Sequence, residues 1–291
     1  MYSGVFTALV TPLHESGDID FDTLGQIVDD QIEKGISGLV PMGTTGESPT
    51  IDSVEHIQVI EAVINKSNSR VPVVAGTGSN STQEAINLTK EAEQCGADAS
   101  LQVSPYYNKP SQQGLYYHFK TIADSVDIPI ILYNVPGRTG RAIEPATILK
   151  LSEHPNIIGI KEASGNIPGI MEIIQNKPKD FFVFSGDDNM TYPILSLGGT
   201  GVISVASNIV PDRMEQMVQE ALKGNILEAQ KLHYKLLPLF QGMFLDTNPV
   251  PVKCAMSLMK IIKESYRLPL VPMSEEKKNR LKEILKDLNI M

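Results

Sequence analysis

IPIILYN (128–134) and IIGIKE (157–162), with the amphipathic stretch 144–152 between them, decide how this chain folds. Both runs are short and rich in β-branched and aliphatic residues. Neither shows polar-out alternation, which is how a strand reads when both of its faces are buried in a parallel sheet. Six more runs of the same kind lie on either side: VFTALV (5–10), GLVP (38–41), VPVVAG (71–76), ASLQVSP (99–105), FFVFSG (181–186) and GVISV (201–205). Amphipathic stretches fall between them at 21–34, 52–66, 81–95, 111–125, 166–176 and 190–197. Asp20, Ser81 and Ser111 are placed to cap helix N-termini, and Gly35 and Gly96 to stop helices. Eight strand–helix alternations predict a (β/α)8 TIM barrel. An open doubly wound sheet is the competing α/β architecture, but TPLHESGD (11–18) is not the glycine-rich turn that usually follows its first strand. The barrel is expected to occupy residues 1–224. Residues 225–291 read as a C-terminal three-helix appendage, interrupted by TNPVP (247–251) and RLPLVP (267–272) and too short to bury a core of its own.

The 291 residues are 42% hydrophobic and 20% charged, ordinary globular usage. With 25 Lys+Arg against 34 Asp+Glu, the net charge is −9, so no excess of cations is available to neutralise phosphates. The sequence therefore predicts neither a nucleic-acid binder nor a protein of anionic membranes. No signal peptide is expected from MYSGVFTALVTP, no run of 18 apolar residues occurs, and the two cysteines, Cys95 and Cys254, form no disulfide framework. A cytoplasmic setting is expected.

Reactive groups of such a barrel come from the carboxyl ends of its strands. Lys161 is the one lysine within a strand pattern. Burial there would disfavour the ammonium and give a free amine able to form a Schiff base; pairing with Glu162 is the plain structural alternative. Tyr133 ends the neighbouring strand on the equivalent face, as a proton shuttle or as a core tyrosine. Arg138, in VPGRTG, would suit bidentate capture of a carboxylate or simply be solvated. PMGTTGES (41–48) combines two glycines with the Thr44 and Thr45 hydroxyls in an anion nest sized for a carboxylate, without the lysine of a nucleotide phosphate loop. Tyr106 and Tyr107 sit side by side on the same rim, where paired tyrosines are often interface residues. The five histidines show no ligand spacing, so no metal is expected. Asp187 and Asp188 are read as caps for the following helix rather than cation ligands, and GGTGV (198–202) as a tight turn.

Taken jointly, GTTGES (43–48), SPYYNKP (104–110), YNVPGRTG (133–140), GIKEASG (159–165) and GVISV (201–205) resemble the dihydrodipicolinate synthase (4-hydroxy-tetrahydrodipicolinate synthase) family, pyruvate-dependent Schiff-base barrels related to N-acetylneuraminate lyase. The resemblance implies that Lys161 forms the imine with pyruvate and that Tyr133, Thr44 and Tyr107 form a proton relay, Tyr107 entering from a partner subunit. It implies that Thr45 holds the pyruvate carboxylate, that Arg138 grips L-aspartate 4-semialdehyde, and that Gly186 and Ile203 supply backbone groups. No cofactor is implied, because the lysine imine is the electron sink. Sugar-acid lyases of the superfamily usually lack the loop arginine, so Arg138 favours the semialdehyde over a sugar-derived 2-keto acid. A catalytically silent, ligand-sensing barrel is disfavoured by the intact lysine, tyrosine and threonine. L-lysine feedback would act at Ser48, His56, Asn80, Glu84 and Tyr106, with Pro49 and Ser53 departing from inhibited members. A homotetramer built as a dimer of dimers, or a homodimer, is implied.

Overall fold

The computed structural model describes residues 2–291. Eight strands run β1 (Gly4–Ala8), β2 (Gly38–Val40), β3 (Val74–Gly76), β4 (Ala99–Val103), β5 (Ile130–Asn134), β6 (Ile157–Glu162), β7 (Phe182–Ser185) and β8 (Gly201–Ser204). All the pairings are parallel, in the order β2-β1-β8-β7-β6-β5-β4-β3. The ring closes between β2 and β3 through the Leu39–Val73 bridge and an amide of Gly76 donating to Pro41 O at 2.9 Å. The sheet is a (β/α)8 barrel, as expected from the eight buried runs.

The intervening helices are α1 (Phe21–Glu33), α2 (Ser53–Ser67), α3 (Thr82–Gln94), α4 (Gln112–Ala123), the single turn α5 (Pro136–Thr139), α6 (Pro145–Leu151), α7 (Ile167–Asn176), α8 (Thr191–Ser196) and α9 (Pro211–Leu222). Asp20, Ser81 and Ser111 each accept a helix amide, from Thr23, Glu84 and Gly114 respectively. Gly35 and Gly96 turn the chain at φ of 84° and 93°, a region where a side chain would be strained.

Inside the barrel Phe6, Val40, Val74, Leu101, Ile131, Tyr133, Phe184 and Ile203 form a packed interior layer, so the barrel is a core and not a pore. The remaining helices, α10 (Ile226–Gly242), α11 (Val250–Leu258) and α12 (Glu275–Asp287), share a hydrophobic cluster with the barrel's first strands and helices. Leu236, Phe240, Val252 and Leu285 belong to the same buried cluster as Leu9, Met42 and Val205. A buried ion pair between Lys253 and Glu47 joins α11 to the loop after β2. Arg267 holds Glu55 at 2.5 Å and 2.7 Å, a two-pronged contact from the same C-terminal region. Residues 225–291 therefore lean on the carboxyl-end face of the barrel and not only on its sides. Among the described residues no helix is long and apolar enough to cross a membrane.

Candidate active site

At the carboxyl end of the barrel a cavity of about 170 Å³ is lined by Thr44, Thr45, Tyr133, Val135, Arg138, Lys161, Ala163, Gly186, Asp187, Val205, Phe244 and Asn248. Parallel pairing of β5 with β6 sets Tyr133 opposite Lys161. The lysine nitrogen lies 4.3 Å from the centre of the tyrosine ring. Lys161 is 5% exposed. Burial brings its pKa down from 10.5 to about 8, outweighing the carboxylates of Asp187 and Asp188, which favour the ammonium.

Pairing with Glu162 is not what the structure contains. Alternation along β6 sends Glu162 to the other side, where its carboxylate accepts from Asn134 Nδ2 at 3.0 Å and from the Ser164 amide at 2.7 Å. Among the described residues no carboxylate forms a salt bridge with Lys161. Tyr133 is buried as well, and its phenol is pushed up to about 12 by desolvation, which outweighs Arg138 and a hydrogen bond with Thr44. At neutral pH the pair is thus a partly free amine beside a fully protonated phenol, the two states needed for carbonyl attack and proton delivery.

The loop after β2 turns through Thr44–Gly46 as a single 3-10 turn. Its later amides close on Gly43 and Thr44 carbonyls, leaving the Thr44 and Thr45 amides without a backbone acceptor among the described residues. Flanking this turn, Met42 and Glu47 sit at φ of 57° and 59°, and the buried pair with Lys253 holds Glu47 in that strained conformation. Gly186 follows β7 beside the lysine. A methyl group there would stand 2.7 Å from Ala163 Cβ and 3.1 Å from Lys161 Cγ, so only glycine lets the lysine stem pass. The Gly186 amide is spent on Glu162 O at 2.8 Å, which leaves its carbonyl for the pocket. Ile203 is buried in the interior layer beneath and does not line the cavity.

Arg138 lies between two spaces, lining the inner cavity and an outer groove of about 430 Å³. Ser48, His56, Glu84 and Tyr106 line that groove, together with Pro49 and Ser53; Asn80 stands behind it, donating to Tyr106 O at 3.2 Å. Within the groove His56 contacts Gly76 O at 2.7 Å, and the Ser79 hydroxyl donates to Glu84. Tyr107 does not enter its own chain's cavity: it is 91% exposed, on strained backbone at φ 70°.

The reading of Asp187 and Asp188 as helix caps is corrected here. Asp187 makes no capping bond and faces the cavity, where burial pushes its carboxyl up while Lys161 and Arg138 draw it down. Asp188 is buried and accepts the Val205 and Ala206 amides at 3.1 Å and 2.8 Å, tying β7 to the turn after β8. Sequence reasoning also missed Phe244 and Asn248, which come from beyond the barrel; a polar residue within TNPVP looks like loop punctuation. Among the described residues no group of three or more His, Cys, Asp and Glu side chains is placed to hold a metal ion.

Residues 1–288 match the sequence profile of the dihydrodipicolinate synthetase family. The chain belongs to this family. It is 51% identical, over the full length of both chains, to the 4-hydroxy-tetrahydrodipicolinate synthase of Endomicrobium trichonymphae. Dihydrodipicolinate synthase from Aquifex aeolicus superposes with a TM-score of 0.98 at 45% identity, covering 99% of both chains. The structure of DHDPS from Cyanidioschyzon merolae with lysine bound aligns at a TM-score of 0.97 and 39% identity, over 100% of this chain and 99% of that one. Such likeness along the whole length makes the barrel and its C-terminal helices the family's shared architecture.

Proposed function

We propose that Lys161 is the Schiff-base nucleophile of a lyase in this family. The chain condenses pyruvate with L-aspartate 4-semialdehyde to 4-hydroxy-tetrahydrodipicolinate, a step of lysine and diaminopimelate biosynthesis. The observation that carries the assignment of Lys161 is a buried amine over the Tyr133 ring, with a pKa of about 8 and no salt bridge among the described residues.

Free amine attacks the pyruvate carbonyl, and loss of water gives the imine. Its iminium form acidifies the methyl group, and departure of a methyl proton leaves an enamine. The enamine carbon adds to the aldehyde of the semialdehyde, and the amino group of that substrate then attacks the imine carbon, expelling Lys161 and closing the ring. The Thr45 hydroxyl and the unpaired Thr44 and Thr45 amides hold the pyruvate carboxylate. Arg138, at the opening between cavity and groove, takes the semialdehyde carboxylate in two-pronged fashion. Tyr133, with Thr44 and Tyr107, moves the protons, and Gly186 supplies its backbone carbonyl to the pocket, whereas Ile203, beneath it, packs the interior layer.

Tyr107 serves a neighbouring subunit's cavity, which makes the working unit at least a dimer, and a tetramer is a dimer of such dimers. Its near-complete exposure supports this role. The outer groove receives L-lysine, with Glu84 meeting the ammonium; the lysine-bound relative supports that reading. Free Cys95 and Cys254 fit a cytoplasmic setting.

Intact mass after borohydride treatment with pyruvate tests the central assignment. One reduced pyruvate adduct mapping to Lys161, and turnover of aspartate semialdehyde that disappears in Lys161→Ala, are expected. An adduct on another lysine, or full activity in the variant, overturns it.

A further inference from the structure

Asn248 belongs to the segment between α10 and α11, outside the barrel strands, yet it is 5% exposed and lines the cavity of Lys161. Its side-chain amide donates to Thr45 Oγ1 at 3.1 Å. Its main-chain carbonyl accepts from Arg138 Nη2 at 3.1 Å. Its Oδ1 is buried and has no donor among the described residues. One residue thus touches both groups assigned to carboxylates.

Counting hydrogens shows what that contact does. A threonine hydroxyl carries one hydrogen and can accept as well. Because Oγ1 receives a hydrogen from Asn248, its own is left for the cavity, and among the described residues nothing in the chain accepts it. Turned over, the amide would take that hydrogen on Oδ1, so it is the orientation with Nδ2 toward Thr45 that frees the hydroxyl. With Nδ2 toward Thr45, the threonine is a donor to the cavity. An anion bound there meets a hydrogen.

We propose that Asn248 is a positioning residue that keeps Thr45 a donor toward the pyruvate carboxylate while its carbonyl anchors Arg138 for the second substrate. The C-terminal segment thereby sets carboxylate recognition in the barrel. This rests on the assignment of pyruvate to Lys161 and Thr45.

Asn248→Asp tests it with almost no change of shape. The aspartate only accepts, so it takes the Thr45 hydrogen and adds a negative charge beside the carboxylate site. Pyruvate giving half-maximal borohydride-trapped Lys161 adduct is expected to rise at least tenfold, and the KM for pyruvate with it, by more than kcat falls. Asn248→Ser, too short to reach Thr45, and Thr45→Val are expected to move the same constant in the same direction. Combining Thr45→Val with Asn248→Asp is expected to cost less than the product of the single effects. Should Asn248→Asp not yield folded protein, Asn248→Ser is read by the same criteria. Half-saturation within twofold of wild type, or a fall in kcat alone, overturns the proposal. No trapped adduct in the wild-type protein would instead overturn the assignment of Lys161 on which it rests.

Discussion

Raising the pH should release the Lys161 amine well before an ordinary lysine would react. Its pKa of about 8, against 10.5 unperturbed, comes chiefly from desolvation. At pH 7.5 such a group is roughly one-quarter free amine, whereas an unperturbed lysine is free in roughly one part per thousand, an advantage of ~200-fold. Only the free amine attacks a carbonyl. The assay mixes the protein with excess pyruvate between pH 6 and 9.5, quenches timed samples with borohydride and counts adduct by intact mass. The logarithm of the rate should climb with unit slope and level off near the pKa of about 8. A rate still rising tenfold per pH unit at 9.5 would refute the desolvation argument. The Asp187 carboxylate favours the ammonium, second only to burial among the influences on this group. Asp187→Asn should therefore move the inflection below that of wild type, and an upward movement would refute its placement. Stability gives an independent reading of the same shift. Below pH 8 both folded and unfolded lysines are charged, and holding the charge in the folded cavity costs about 3 kcal/mol. Lys161→Met should exceed wild type by up to that amount at pH 7. The gap should narrow from pH 8 and vanish near 10.5, since over that window the unfolded chain binds the extra proton.

Three other outcomes follow from named contacts. Lys253→Met leaves Glu47 buried without its cation, and should lower unfolding free energy in urea by about 3 kcal/mol; a loss under about 1 kcal/mol would mean that Arg267 suffices as partner for that carboxylate. Gly186→Ala places a methyl group against the Lys161 stem, so adduct formation should slow at least tenfold with the melting temperature little changed; equal rates would show that the lysine has room to shift. Tyr107→Phe and Lys161→Ala proteins, each poorly active alone, should regain activity when unfolded together and refolded as mixed assemblies, because Tyr107 does not enter its own chain's cavity. Absence of any recovery, with mixed assemblies present, would place Tyr107 in its own subunit's site.

Eight buried strands were legible in the sequence because each announces itself locally, as an unbroken β-branched run bounded by Gly, Pro or Asn. Helix starts were legible for the same reason: Asp20, Ser81 and Ser111 each bond an amide three residues away. Even the meeting of Tyr133 with Lys161 could be read, since consecutive strands of a barrel pair and their side chains alternate. Lys161 stood out because it alone among the lysines breaks a strand pattern. Tertiary structure decided what no local pattern encodes. Asp187 and Asp188 are adjacent and chemically identical, so composition offers no means of telling them apart; strand alternation after β7 sends one to the cavity and the other to the Val205 and Ala206 amides. Glu162 was separated from its neighbour Lys161 by the same geometry. Asn248 reaches Thr45 across 203 positions of sequence and Lys253 reaches Glu47 across 206. Neither contact has a periodicity or a spacing to betray it, because it exists only once the C-terminal helices have buried their apolar faces on the barrel and carried their polar residues to its rim.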